Sequence, residues 1–211
     1  MFILGLTGSI GMGKTVAAGD FARLGVPVHD SDATVHDLIS KGGDAVTEVA
    51  DTFPGVLAKG AIDRGLLGKH VFGDNVALKR LEKILHPKVR EREIAFLSWH
   101  ARQRTRAIVL DVPLLFETGG QKRCDAIAVV SAPYREQRRR VLSRPGMTKE
   151  RLVNILAYQM PDTKKRQFAD YIIHTGLGRM HSLQAIRQIV TLIKQDKGTH
   201  WPPFRQKKEG N

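Results

Sequence analysis

An α/β fold on a parallel five-stranded sheet is the architecture this chain predicts, and three observations lead to it. Short apolar runs recur at Phe2–Leu6, Val26–His29, Ala107–Val112, Ala126–Val130 and Tyr171–Ile173. They alternate with helical patterns, as parallel strands joined by covering helices do. The first run feeds at once into Gly8-Ser9-Ile10-Gly11-Met12-Gly13-Lys14-Thr15, which fits Gly-x-x-x-x-Gly-Lys-Ser/Thr, the pattern of a phosphate-binding loop between a strand and a helix.

In that loop the glycines lack the Cβ that would keep phosphate oxygens away from backbone N–H groups. The helix from Lys14 to Leu24 carries Ala17, Ala18, Phe21 and Leu24 at helical spacing, and Gly25 ends it. Its positive dipole end faces the same anion. Lys14 is therefore placed to reach the β- and γ-phosphates of a bound nucleotide, and the Thr15 hydroxyl to ligate Mg²⁺. After the second strand no convincing buried strand occurs from Asp32 to Arg106. The region reads as helices at Arg64–Val71, Val76–Leu85 and Val89–Arg104, too long for a simple crossover, so a helical insertion on the substrate side is expected over 33–106. The nucleotide-binding core is expected at 1–32, 107–133 and 169–198. Tyr134–Phe168 is again helical and strongly basic, broken by Pro145-Gly146 and Pro161, and reads as a mobile lid over 134–168. A last amphipathic helix carries Leu183, Ile186, Ile189, Val190 and Ile193, and 199–211 reads as a flexible tail.

With 211 residues, 42% hydrophobic and 26% charged, the chain suits one soluble domain with appendages. No apolar run approaches a membrane span, and Met1 leads straight into a strand, which argues against a targeting peptide. A single cysteine, Cys124, rules out an intramolecular disulfide or a multi-cysteine zinc site and points to the cytoplasm. The net charge of +13 invites nucleic acid, yet polyanionic small molecules explain it equally well. With aromatics at 6% and no base-stacking motif, no nucleic-acid partner is required.

Candidate chemistry gathers at strand ends. Asp30-Ser31-Asp32 follows the second strand, at the edge where ligands of open α/β sheets collect. A carboxylate there serves as acceptor of a substrate hydroxyl proton, in the Mg²⁺ shell, or as a helix cap; Asp32 is the better base candidate. Ile108-Val109-Leu110-Asp111 resembles a Walker B strand, with Asp111 orienting the Mg²⁺ shell or simply ending a strand. Pro113–Glu117 then walls a ligand cleft or fills core. Arg135, Arg138, Arg139, Arg140 and Arg144 crowd one predicted helix, with Arg140 and Arg144 an i,i+4 pair suited to a phosphate. His86-Pro87 near Arg90 is either a basic side for an anionic acceptor or a helix start at Pro87.

Together the loop, Val28-His29-Asp30-Ser31-Asp32, Asp63-Arg64, Leu85-His86-Pro87, Asp111-Val112-Pro113-Leu114-Leu115-Phe116-Glu117, Gln137 with Arg140, and Gln159 resemble the dephospho-CoA kinase family, from residue 2 to about 195. The resemblance implies a P-loop NTPase three-layer fold with a helical CoA domain and a lid. It also implies ATP- and Mg²⁺-dependent phosphorylation of the ribose 3′-hydroxyl of dephospho-CoA, the final step of coenzyme A synthesis. It makes Asp32 the catalytic base, Gly11, Gly13, Lys14 and Thr15 the phosphate and metal grip, and Arg140 the lid arginine. Thr7, Arg64, His86 and Leu115 become substrate-side neighbours. The chain departs from the family at His174-Thr175-Gly176, where many members carry an Asn-containing turn near the adenine, and at Met12 and Ser31, where small residues are commoner.

Three rivals lack their marks. A shikimate kinase calls for Gly-Gly-Gly, whereas only Gly42-Gly43 and Gly119-Gly120 occur; the Asp-Gly-Phe-Pro-Arg string of adenylate kinases is absent. A GTP-controlled switch calls for Asn-Lys-x-Asp, and the chain has no Asn-Lys pair.

Overall fold

A computed structural model describes residues 1–202. In chain order its elements begin β1 (Phe2–Thr7), α1 (Lys14–Arg23), β2 (Val28–Asp30), α2 (Ser31–Ile39) and α3 (Val46–Thr52). Next come β3 (Leu57–Ala58), β4 (Ala61–Ile62), α4 (Arg64–Val71), α5 (Asn75–Arg102) and β5 (Ala107–Asp111). The chain continues with β6 (Ala126–Ser131), α6 (Tyr134–Leu142), α7 (Lys149–Tyr158), α8 (Asp162–Gln167), β7 (Tyr171–His174) and α9 (Arg179–Gln195). Two compact units result: Met1–His29 with the chain from Arg104 onward, and Asp30–Gln103. Among the described residues no helix is long and apolar enough to cross a membrane.

The first unit is built on the sheet β2-β5-β1-β6-β7. β1 is central because all six of its residues are buried, the requirement for a strand covered on both faces. It runs parallel to β5, from Phe2 opposite Ala107 to Leu6 opposite Asp111, and to β6, from Leu4 opposite Ala126 to Thr7 opposite Val129. β6 runs parallel to β7, ending at Ser131 opposite His174. This register brings Thr7, Asp111, Ser131 and His174 to one carboxyl edge. Under one face, Phe2, Leu4 and Leu6 pack with Phe21 of α1 and Ile186, Ile189 and Ile193 of α9. Each such side chain removed from water contributes about 1.5–3 kcal/mol. Gly5 is required on the other face, where a Cβ would lie 2.8 Å from Cys124 Sγ and 2.9 Å from Leu115 Cδ2.

The second unit has its own core, in which Leu38, Val49, Phe53, Ile62, Leu67, Leu81 and Leu85 meet. Three of its helices start on an aspartate cap. Asp30 accepts from Asp32 and Ala33 N–H, Asp63 from Gly65 and Leu66, and Asp74 from Val76 and Ala77. Each cap satisfies two backbone N–H groups that the helix itself cannot. The N–H bonds from Ala77 and then Val76 hold the Asp74 carboxyl below its usual range.

Several expectations are corrected. The insertion is not purely helical, because β3 and β4 form an antiparallel hairpin in which Leu57 faces Ile62. Its turn residues Lys59 and Gly60 both have positive φ, 51° and 81°, as a two-residue turn matching strand twist requires. The compact unit runs over 30–103, not 33–106: Asp30 is bound into α2, whereas Arg106 already accepts the Phe2 N–H at 2.8 Å and so belongs with the sheet. Helices expected on either side of Pro87 are one helix, α5, so Pro87 does not start a helix. A proline costs its helix one N–H donor and crowds the carbonyl four residues earlier, yet the helix runs through it. α6 stops at Leu142, so Arg144 lies in the following turn and does not pair with Arg140 on a helix face.

The chain after Gly198 is anchored at its start. Asp125 Oδ2 accepts the Ile3 N–H at 2.7 Å, while Oδ1 accepts from Thr199 N–H at 2.5 Å, the Thr199 hydroxyl at 3.0 Å and His200 N–H at 3.1 Å. The expected loose tail therefore does not begin at 199; the rest of it, 203–211, lies outside the described residues. Burial pushes the Asp125 carboxyl up, but the contact with the His200 ring and the Thr199 and Ile3 N–H bonds outweigh it and hold it below the usual value. A depressed folded pKa gives stability that is present above the unfolded value, about 3.9, and is lost as pH falls through the folded one. Asp125→Asn is thus expected to cost about 1–2 kcal/mol at neutral pH. The gap to wild type should narrow below about pH 4 in urea unfolding, and a pH-independent gap would contradict this account of the anchor.

Candidate nucleotide site

The phosphate loop is held from outside by the helices and turns that follow β6. Gly11 and Gly13 have φ of 77° and 94°, which side-chain-bearing residues resist. A Cβ on Gly8 would sit 2.7 Å from Val130 O, and one on Gly11 would sit 2.5 Å from Val141 Cγ2, so packing also demands glycine. Gln137 Nε2 donates to Ile10 O at 2.9 Å, and Ile10 N–H donates to Gln159 Oε1 at 3.0 Å. The Thr175 hydroxyl donates to Met12 O at 2.7 Å, and Ala132 N–H donates to the Met12 sulfur at 3.1 Å. Met12 is thus a buried anchor of the loop, beyond the backbone role its variable position suggests. α1 begins at Lys14 with no side chain capping it, so its first N–H groups stay directed at whatever the loop holds.

Charge sits at the same edge. Lys14 Nζ donates to Asp111 Oδ1 at 2.6 Å, with Asp111 almost fully buried. Thr15 is exposed in the first turn of α1. A hydroxyl and a carboxylate are hard oxygen donors and fit Mg²⁺. Among the described residues no three His, Cys, Asp or Glu side chains gather as a metal cage. Such a donor set suits Mg²⁺ sites that substrate phosphates complete.

Two sheet-unit residues are turned away from solvent. Thr7 is fully buried and its hydroxyl donates to Pro113 O at 3.0 Å. Leu115 is fully buried, with its methyls lying where a Cβ on Gly5 or Gly120 would be. Thr7 thereby ties the end of β1 to the segment after β5, and Leu115 packs against Gly5 of β1. In the helical unit, Asp30 caps α2, Asp32 is exposed in its first turn, Arg64 is exposed at the start of α4, and His86 is exposed within α5. Both α2 and α4 pack on α5. The supporting roles of Gln159 and Thr175 carry little local signal, and Lys165, whose Nζ donates to Pro113 O at 3.2 Å, hides inside the basic run Lys164-Lys165-Arg166.

Residues 2–178 match the family model described as dephospho-CoA kinase. The chain belongs to the dephospho-CoA kinase family. A dephospho-CoA kinase of Paramagnetospirillum magneticum is 59% identical over 92% of this chain and 92% of its own length. One from Mesorhizobium japonicum is 51% identical over 94% of this chain and the whole of the relative. A solved structure from Thermus thermophilus superposes with a TM-score of 0.80 at 33% identity, covering 90% of this chain and 96% of the other.

Arg140 of this dephospho-CoA kinase family member is already seated on the loop. Its guanidinium donates to Thr175 O at 2.8 Å and the Thr175 hydroxyl at 3.0 Å, and reaches Gly11 O at 3.5 Å. An ammonium keeps the charge but cannot span these acceptors as a planar fork does. Arg140→Lys is therefore expected to lower kcat/KM for ATP about tenfold or more. Steady-state kinetics check this; equal activity of the two forms would reduce Arg140 to a general positive field.

Proposed function

We propose that this chain transfers the γ-phosphoryl group of ATP to the ribose 3′-hydroxyl of dephospho-CoA, giving coenzyme A and ADP. Supporting this most directly is the uncapped start of α1 with Lys14 poised on Asp111, in a chain of the dephospho-CoA kinase family. In this reading Gly8 to Thr15 cradle the triphosphate, and the Lys14 ammonium exchanges its carboxylate partner for the phosphates. Thr15 and Asp111 would hold Mg²⁺, whose charge would offset that of the phosphates. Asp32, two residues beyond the end of β2, accepts the 3′-hydroxyl proton as the phosphoryl group moves. Arg64 and His86 offer cationic or hydrogen-bonding groups to the anionic acceptor. Residues 134–168 act as a basic lid. Cytoplasmic action is part of the proposal, supported by a sequence with a single cysteine, Cys124, which leaves no intramolecular disulfide to form.

An acceptor panel tests it. With ATP and Mg²⁺, ADP release is expected to be fastest with dephospho-CoA and negligible with shikimate, gluconate, nucleoside monophosphates or RNA. Preference for any of the others would overturn the reading.

A further inference from the structure

Lys165 of α8 is fully buried, an expensive place for an ammonium unless its partners need it there. Its Nζ lies 2.9 Å from Glu117 Oε1 and donates to Pro113 O at 3.2 Å. The same Pro113 carbonyl accepts the Thr7 hydroxyl at 3.0 Å, so it joins α8 to the last residue before the phosphate loop. Pro113 also stands two residues after Asp111, the carboxylate that holds Lys14. Glu117 Oε1 accepts the Met160 N–H at 2.7 Å, and neighbouring Gln159 accepts the Ile10 N–H. The α7–α8 junction therefore grips both loops of the nucleotide edge, and Lys165 is the charged member of the grip.

We infer that Lys165 is a positioning residue for phosphoryl transfer, its buried ammonium fixing the Pro113–Glu117 segment and, through Pro113, the end of β1 and the approach of Asp111 to Lys14. If packing were its only task, a methionine of similar length would fill the space without the desolvation cost. The position instead carries a cation aimed at one carbonyl and one carboxylate that belong to the segment following β5. The inference rests on the proposed kinase reaction for its kinetic consequence.

The test compares Lys165→Met, Lys165→Arg, Glu117→Gln and the double variant K165M/E117Q by unfolding midpoint, ATP calorimetry and steady-state kinetics. Per folded molecule, Lys165→Met is expected to lower kcat with dephospho-CoA about 10- to 100-fold, the scale of a misplacement near 1 Å. ATP affinity should stay within about threefold, because the phosphates are gripped by residues 8–15. Lys165→Arg should recover most of the loss. Glu117→Gln, which keeps shape and an acceptor for Met160, should follow Lys165→Met, and the double variant should be no worse than Lys165→Met alone. Wild-type kcat per folded molecule in Lys165→Met, or fully additive losses, would overturn the inference. Wild-type turnover of dephospho-CoA in the same assay tests the reaction separately. The amide resonances of Gly8 and Asp111 test the inference without any acceptor: they should shift in Lys165→Met, and unmoved resonances overturn it.

Discussion

Lys14→Ala is expected to reduce kcat/KM by well over tenfold, since a charge-assisted contact to the transferring phosphate exceeds the 1.4 kcal/mol of one decade. The structure adds a second consequence that the loop motif alone does not reveal. Lys14 is the ion partner of Asp111, whose side chain is only 2% exposed. Removing Lys14 takes one partner from that buried carboxylate and destabilises the fold, by less than the roughly 3–5 kcal/mol of a fully uncompensated buried charge. Lys14→Ala should therefore be less stable as well as inactive. K14A/D111N should regain stability without regaining turnover. Calorimetric unfolding and steady-state kinetics on the two variants separate the effects, and a Lys14→Ala enzyme retaining more than about a tenth of wild-type kcat/KM would contradict the assigned role.

Asp32→Asn is expected to lower kcat about 10²- to 10⁴-fold, the usual yield of general base catalysis. The fold should barely notice. The Asp32 carboxylate is exposed in the first turn of α2, where losing a favourable charge at a helix start costs about 0.3–1 kcal/mol. The structural work at this turn falls to Asp30, whose carboxylate takes the Asp32 and Ala33 N–H groups. Asp30→Ala is therefore the contrasting variant, costing about 1 kcal/mol of stability by loss of the cap. ATP affinity of Asp32→Asn should be unchanged by calorimetry. Unchanged kcat would remove Asp32 from the chemistry, and lost ATP–Mg²⁺ affinity would recast it as part of the metal shell.

The sheet was legible because its central strands β1, β5 and β6 are buried on both faces, which forces continuous apolar runs such as Ala107–Leu110 and Ala126–Val130. The hairpin was not, because β3 and β4 have two residues each and Leu57 and Ala58 are exposed, leaving no hydrophobic period to read. Lys59-Gly60 was the one available signal, a turn pair between short apolar dipeptides. Pro87 misled for the opposite reason: a local rule about helix ends was overridden by the packing of Leu81, Ile84 and Leu85 before it and Leu97 after it. In the nucleotide site, Gly8 to Thr15 and Asp111 announce themselves through spacing. The bonds from Gln137, Gln159, Thr175 and Lys165 join residues more than 40 positions apart, and no periodicity encodes them.

Purified chain, ATP, Mg²⁺ and dephospho-CoA are incubated together, and the product is identified by mass and by its phosphorus resonances. The account predicts one new phosphomonoester, at the ribose 3′-hydroxyl, formed in equal amount to ADP. ADP release that ignores dephospho-CoA, or a phosphate placed elsewhere on the acceptor, would contradict it.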